Sequence, residues 1–290
     1  MKKSPISFCS VIAALVLLVC CAAPGLPQRA AGNDIHRVDF RNFTYRPSCL
    51  EGDTPGKSEA VKVTNGSFSR SDPDNALNFE IRRIDYGDLT RDGRDEAVVL
   101  TTCNTGGTGQ FSEGFVYGMQ NGKPALLARL GGGDRANGTI RCVRVESELV
   151  KVERLGTLTG RAIGVDFIET TAYRLSGHRL AKTGRAARRD FRSSATAKAV
   201  HFERGKDSAI LTGTAKTIVE YAVRAAAEQR MTIRITSKQN NAAFEIIIDD
   251  YTMACRSTEW SGKLESNGEY RIVVIPAKGI ADYKLEVTIH

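Results

Sequence analysis

Acidic and hydroxyl residues between positions 88 and 96 have the spacing of a cation-binding loop. Side-chain oxygens stand at loop positions 1, 3, 5 and 9: Asp88, Thr90, Asp92 and Glu96. Calcium takes roughly six to eight oxygen ligands, and a glycine such as Gly93 lets the chain turn tightly around the ion. The spacing therefore predicts a Ca²⁺ site, and Ca²⁺ is the one cofactor expected. The alternative is an acidic β-turn at Asp92 and Gly93, with Asp95 and Glu96 in solvent.

This loop resembles the calcium loops of FG-GAP and VCBS (integrin-type) repeats, which run directly into an apolar strand. Here residues 97–100 (Ala-Val-Val-Leu) supply that strand. The resemblance implies that the four side chains above donate oxygens and that Arg94 donates its carbonyl. Because the pattern occurs once in the chain, it does not indicate a seven-bladed propeller.

A second candidate site lies between residues 260 and 270. The order of sequence motifs in this part of the chain is similar to that in bacterial pre-peptidase C-terminal domains and in inhibitors of g-type lysozyme. The motifs are Gly213 and residues 221–225, 229–233, 260–262 and 267–272. Both families are small extracytoplasmic β-sandwiches without catalysis.

Periplasmic lysozyme inhibitors often carry an SGxxY loop that enters the lysozyme cleft. The stretch Ser266-Asn267-Gly268-Glu269-Tyr270 is one residue out of register with that loop. The resemblance implies partner-binding roles for Ser266, Gly268 and Tyr270. Trp260, the single tryptophan, is either a sugar platform or a side chain that fills the core.

Catalytic signatures are missing from the sequence. The four histidines, His36, His178, His201 and His290, belong to no GxSxG or HExxH motif. We therefore expect a binding protein without catalysis at the cell envelope, with inhibition of g-type lysozyme as the first alternative. A secreted hydrolase with an unrecognised site, such as a pair of carboxylates, is the second alternative.

The N-terminus predicts export. Lys2 and Lys3 precede an apolar run over residues 6–23 that ends in small residues and proline, which is typical of a signal peptide over residues 1–25. Residues 18–21 resemble a lipoprotein box, which makes Cys21 the candidate for lipidation and a lipid anchor the one predicted link to a membrane. We expect a periplasmic or secreted protein whose partner is an extracytoplasmic protein or a cell-wall glycan.

The net charge is +8, and much of the excess lies in residues 182–198. That segment holds six basic residues and one acidic residue, and we interpret it as a solvated basic linker. Nucleic acid is not an expected partner, because stacking aromatic residues are nearly missing from the segment.

Four cysteines remain after the signal, and an oxidising compartment favours their pairing. Three of them, Cys49, Cys103 and Cys142, precede the linker, and Cys255 follows it. We expect one pair among the first three. Either a second bridge joins the two domains or two thiols stay free.

The fold class predicted from these patterns is mainly β. Residues 33–181 read as a β-rich, alternatively α+β, domain with a hairpin at Asn121-Gly122. Residues 199–290 alternate apolar and polar side chains in short runs separated by turns, which predicts a jelly-roll-like β-sandwich.

Overall fold

The computed structural model describes residues 34–51, 58–72, 74–134, 138–158, 164–191, 196–249 and 251–290. The predicted signal peptide and Cys21 lie outside the described residues. Within them, regular structure is almost entirely β, which confirms the predicted fold class. None of the described helices is long and apolar enough to cross a membrane.

The first sheet, sheet A, is an antiparallel meander preceded by short elements that cover one of its faces. Three 3₁₀ turns (Ile35–Arg37, Phe40–Asn42, Ser48–Leu50) and the pair β1 (Thr44–Tyr45) and β2 (Val61–Lys62) form this cover. Sheet A contains β3 (Ser67–Arg70), β4 (Leu77–Gly87), β5 (Glu96–Asn104), β6 (Phe111–Gln120) and β7 (Lys123–Asp134). The predicted hairpin joins β6 to β7, and positive φ angles at Asn121 and Gly122 match a type I′ turn.

Sheet B is a second meander, with β8 (Ile140–Glu146), β9 (Leu149–Gly156), β10 (Phe167–Ser176) and β11 (Arg179–Asp190). Residues 182–190, which we interpreted as the start of a basic linker, form most of β11 and are therefore a strand. This strand pairs only with β10 and is largely exposed, so it carries no apolar alternation that would reveal it. Its basic side chains suit an edge strand, because charge there opposes pairing with other chains.

Sheets C and D form the predicted sandwich. Sheet C has the order β12 (Lys198–Ala199), β14 (Val219–Ala225), β19 (Gly268–Pro276), β16 (Ala242–Ile248), β17 (Tyr251–Ser257). Sheet D has the order β13 (Ser208–Ala215), β20 (Ala281–Ile289), β15 (Arg230–Ser237), β18 (Glu259–Lys263), and a 3₁₀ turn (Lys238–Asn240) links β15 to β16. Alternate residues of β20, such as Tyr283, Leu285 and Val287, point into the core between the two sheets.

The four sheets stack in the order A, B, C, D, with an apolar core between each pair of neighbours. We call sheets A and B the first sandwich and sheets C and D the second sandwich. Between sheets B and C, Ile168 and Leu155 pack against Ile247, Val273 and Ile275. Strands β16 and β19 are therefore buried on both faces, which explains why their sequences are continuous apolar runs.

Two disulfides stabilise this stack. Cys49 pairs with Cys103, which confirms the predicted pair within the first domain. Cys142 of β8 pairs with Cys255 of β17, so the second bridge joins the two sandwiches and neither thiol is free. Disulfides are typical of proteins that fold in an oxidising, extracytoplasmic compartment.

Candidate binding site between the two sandwiches

The carboxylates of the predicted calcium loop face the loop's own backbone. Asp88 accepts hydrogen bonds from the N–H groups of Arg91, Asp92 and Gly93, at 2.6 to 3.2 Å. Asp92 accepts from the Arg94 N–H at 2.9 Å and also pairs with the Arg94 guanidinium. The oxygens that a cation would need are thus occupied by N–H donors.

Glu96 is the buried member of the loop. Its carboxylate accepts from the N–H groups of Leu89 and Thr90, at 2.8 and 3.1 Å, and Thr90 also donates its hydroxyl. Burial raises the pKa of Glu96, and these hydrogen bonds oppose that rise. Among the described residues, no group of three or more acidic, histidine or cysteine side chains is arranged to hold a metal ion. In this conformation the donor set does not fit calcium, and calcium binding stays a prediction.

Replacing Asp88 with alanine is expected to lower the free energy of unfolding by about 1–3 kcal/mol, because three loop N–H groups lose a charged acceptor. The loss should be the same in EDTA and in millimolar CaCl₂, measured by urea denaturation. If calcium stabilised the wild-type protein and this effect vanished in Asp88→Ala, the loop would be a metal site after all.

The predicted partner-binding turn is rigid and exposed. Leu264 is fully buried and anchors its start, while Glu265, Ser266 and Asn267 are exposed. The Tyr270 hydroxyl donates to the carbonyl of Ser266 at 2.7 Å. The side chain of Asn267 accepts from the Ala227 N–H at 2.8 Å. The backbone of turn 264–268 is therefore held from both sides.

Tyr270 has a different role from the one that the sequence suggested. It is completely buried in the core of the second sandwich, because β19 alternates and directs Tyr270, Ile272 and Val274 inward. A fully buried ring cannot contact a partner. Ser266 and Asn267 are exposed, but the side-chain oxygen of Asn267 already accepts from Ala227. Gly268 is half-buried against Ile248.

Trp260 fills the edge of the second sandwich and also lines a cleft. Its ring packs against the core cluster and lies over Gly262, where an added Cβ would approach the ring to 2.5 Å. A larger residue at position 262 would force the Trp260 ring to move. The cleft has a volume of about 860 Å³ and separates the edges of β17 and β18 from β4 and β8 of the first sandwich.

Two arginines of β4 connect the walls of this cleft. Arg82 lies over the ring of Tyr251, 4.7 Å from its centroid, and donates to the carbonyl of Thr252 at 3.3 Å. Arg83 donates to the carbonyl of Cys255 at 2.8 Å. These carbonyls belong to the edge strand β17, so the arginines satisfy backbone groups that have no strand partner there. Sequence reasoning missed both, because the contacts join residues about 170 positions apart.

A buried ionic cluster lies at the inner end of the same interface. Arg141 of β8 contacts Glu153 and Glu245, each at 2.9 Å, and all three side chains are at most 1% exposed. Arg144, Arg256 and Arg189 approach Glu153 from 2.9 to 3.7 Å. The signal that could have revealed the cluster is Glu245, an acidic residue within the apolar run of β16.

The histidines lie apart from this cleft and from one another. His36 contacts Asp95 at 2.9 Å, His290 contacts Asp207 at 2.8 Å, and His178 contacts the carbonyl of Leu127 at 3.3 Å. In the part of the chain that the structure describes, no histidine hydrogen bonds to a serine, threonine or cysteine side chain. The arrangement needed for a histidine-activated nucleophile is not formed among these residues.

Comparison with protein families finds no matching model, and no curated protein matches the chain. Among solved structures, the chain is similar to a periplasmic lysozyme inhibitor of g-type lysozyme from Aeromonas hydrophila, with 25% identity and a TM-score of 0.30. It is also similar to the inhibitors of g-type lysozyme from Salmonella Typhimurium (18%, TM-score 0.28) and, as a mutant, from Escherichia coli (22%, TM-score 0.27). Each alignment covers 33% of this chain and 96 to 100% of the other. TM-scores of this size support no argument about this chain, and the likenesses to pre-peptidase C-terminal domains and to integrin-type loops stay predictions.

Proposed function

We propose that this chain is an exported cell-envelope protein that binds another extracytoplasmic protein through turn 264–268, without catalysis of its own. The observation that carries the proposal is the combination of a fixed backbone with the exposed side chains of Glu265 and Ser266 at this turn. A binding loop that is already ordered loses little conformational entropy when it docks, so more of the contact energy remains as affinity.

The local charge of the turn also suits a basic partner, although the whole chain is basic. Glu228, Glu265 and Glu269 surround the turn and are exposed. Lys263 pairs with Glu228 and Arg224 pairs with Glu269, whereas Glu265 has no basic partner among the described residues. The turn therefore presents a net negative charge, and complementary charge accelerates association with a positively charged protein.

The first candidate partner is g-type lysozyme. The residue order of the second sandwich is similar to that of inhibitors of this enzyme, and the stretch 266–270 differs by one residue in spacing from their SGxxY motif. The departure in register means that Ser266 and Asn267, rather than a tyrosine, would make the contacts. The proposal needs no metal, lipid anchor or active site in this chain.

Substituting Ser266→Arg in the mature protein is expected to weaken binding to g-type lysozyme at least tenfold, because a bulky cation replaces a small exposed side chain in an acidic turn. Tyr270→Phe should weaken it a few-fold, because it removes only the hydroxyl that holds the Ser266 carbonyl. Affinity is measured by calorimetry and inhibition by a turbidity assay with cell walls.

The matched control is Ser176→Arg at the exposed end of β10, which should bind like the wild-type protein. Equal binding by Ser266→Arg and the wild type would contradict the proposed surface. Binding without inhibition would keep the protein-binding function and reject the inhibitor. No binding at micromolar concentration would exclude g-type lysozyme as the partner.

A further inference from the structure

The cleft between the two sandwiches borders turn 264–268, and Glu265 and Ser266 belong to its rim. We propose that it binds an uncharged, hydroxyl-rich oligosaccharide. Its volume of about 860 Å³ falls in the range of about 300–1,000 Å³ that is typical of small-ligand sites. Both sandwiches contribute walls, so the site exists only in the assembled chain.

The wall formed by the second sandwich presents aromatic and apolar side chains among polar ones. Trp260, Tyr251 and Met253 are partly buried against the core and reach the surface at the open edge between β17 and β18. An aromatic ring held by the core offers a flat surface without further loss of side-chain entropy. Sugar rings have C–H faces that pack on such surfaces, while their hydroxyl groups remain free for hydrogen bonds.

The wall formed by the first sandwich is polar and has free hydrogen-bonding capacity. Thr102 of β5 and Gln110 before β6 line the cleft, and both are partly exposed. Within the described residues, neither side chain makes a hydrogen bond. A hydroxyl and an amide that face an aromatic wall across a cleft are the complement of a sugar, which needs both donors and acceptors.

The charge of the lining excludes a strongly anionic ligand. Arg82 pairs with Glu80 at 2.7 Å, Arg83 with Asp85 at 3.2 Å, and Arg141 lies between two carboxylates. Lys263 is neutralised by Glu228. The remaining charged residues of the lining are one cation, Arg41, and two anions, Asp249 and Glu265, so there is no excess of positive charge. A phosphate or sulfate group would need unpaired cations, which this lining does not concentrate.

The shape of the cleft is fixed before any ligand enters. Cys142–Cys255 joins β8 to β17 at one wall, and Arg82 and Arg83 hold the edge of β17. A preformed cleft retains more of the contact energy as affinity, because the walls do not have to be ordered on binding.

The test is calorimetry of the mature protein with two neutral probes, the N-acetylglucosamine tetramer and cellotetraose, and with a sulfated tetrasaccharide as the anionic comparator. We expect one or both neutral probes to bind with a Kd below 1 mM (about −4 kcal/mol) and the sulfated one to bind at least tenfold more weakly. Absence of binding by both neutral probes, or preference for the sulfated one, overturns the proposal.

Two variants place the binding in the cleft. Trp260→Ala removes the aromatic surface, and Thr102→Trp fills the cleft from the opposite wall without touching the core of the second sandwich. Each should weaken binding of the neutral probe at least tenfold, with folding checked by thermal melting. If Trp260→Ala does not fold, Thr102→Trp decides alone, and unchanged sugar binding by a folded Thr102→Trp overturns the proposal. Thr102 belongs to the first sandwich, whereas turn 264–268 belongs to the second. Thr102→Trp should therefore bind g-type lysozyme like the wild type, and loss of sugar binding alone distinguishes the two proposals.

Discussion

Replacing Arg141 with alanine is expected to lower the free energy of unfolding by about 3–5 kcal/mol. The guanidinium lies between the carboxylates of Glu153 and Glu245, and all three side chains are at most 1% exposed. Removing the cation leaves Glu245 with Arg189 as its remaining contact. Breaking a buried ion pair from one side is costly, because the charge that remains is desolvated without its partner.

Urea denaturation of the full mature chain measures this loss. The matched control is Arg188→Ala. Arg188 lies on the exposed strand β11 and pairs with Glu169 of β10. Exposed pairs contribute about 0–1 kcal/mol, so the control should change stability by no more than that. Similar losses from both variants would show that the cluster between sheets B and C does not depend on its central cation.

The same cluster predicts a dependence of stability on acid. Burial of the Glu153 carboxylate raises its pKa, but the charges of Arg141, Arg189, Arg256 and Arg144 together outweigh burial and lower the pKa to about 2. The group is therefore stabilising above its unfolded pKa of 4.5, and this contribution is lost as the pH falls from there towards 2. Glu153→Gln should flatten the fall in stability over this pH range, whereas Glu169→Gln should not.

Removing the bridge between the sandwiches by Cys142→Ala together with Cys255→Ala is expected to destabilise the protein by about 4–5 kcal/mol. The two cysteines are 113 positions apart, and closing so long a loop restricts the unfolded chain strongly. The variant also removes the covalent link between β8 and β17, close to the β17 carbonyls that accept hydrogen bonds from Arg82 and Arg83. We therefore expect a second effect, separation of one unfolding transition into two.

Calorimetric melting of this double variant checks both effects. The control is Cys49→Ala with Cys103→Ala, whose bridge spans 54 positions within the first sandwich. It should lower stability by a similar amount, since the entropic effect grows only slowly with loop length, but it should not separate the two sandwiches. A single cooperative transition in both variants would show that the contacts between sheets B and C couple the sandwiches without the disulfide.

Part of the candidate site is visible in the sequence, and part of it arises only when the chain is folded. The exposed turn at Ser266 and the aromatic Trp260 stand out by residue type and by resemblance. Tyr270 stood out for the same reason, but its position in the alternation of β19 buries it and makes it a support for the turn. Thr102 and Gln110 carry no signal, since a single polar residue at the end of a strand is common.

The fold class could be predicted from local patterns, because the alternation of apolar and polar residues in a strand shows which of its faces is buried. Alternating residues in β15 and β20, the Asn121-Gly122 turn and the doubly buried run of β16 are all readable without the structure. Strand β11 could not be predicted, because an exposed edge strand has no buried face and therefore no alternation of apolar and polar residues.

The β-rich architecture, the C-terminal sandwich and one disulfide among Cys49, Cys103 and Cys142 were predictable from local sequence patterns. Three features became visible in the folded chain: Cys142 pairs with Cys255, Arg141 is buried between two glutamates, and β4 and β17 enclose a cleft. Each of these features includes a contact between strands more than 100 positions apart, such as Arg141 with Glu245 and Cys142 with Cys255. Which distant strands meet depends on how four sheets stack, and stacking is a property of the complete set of apolar faces rather than of any one segment.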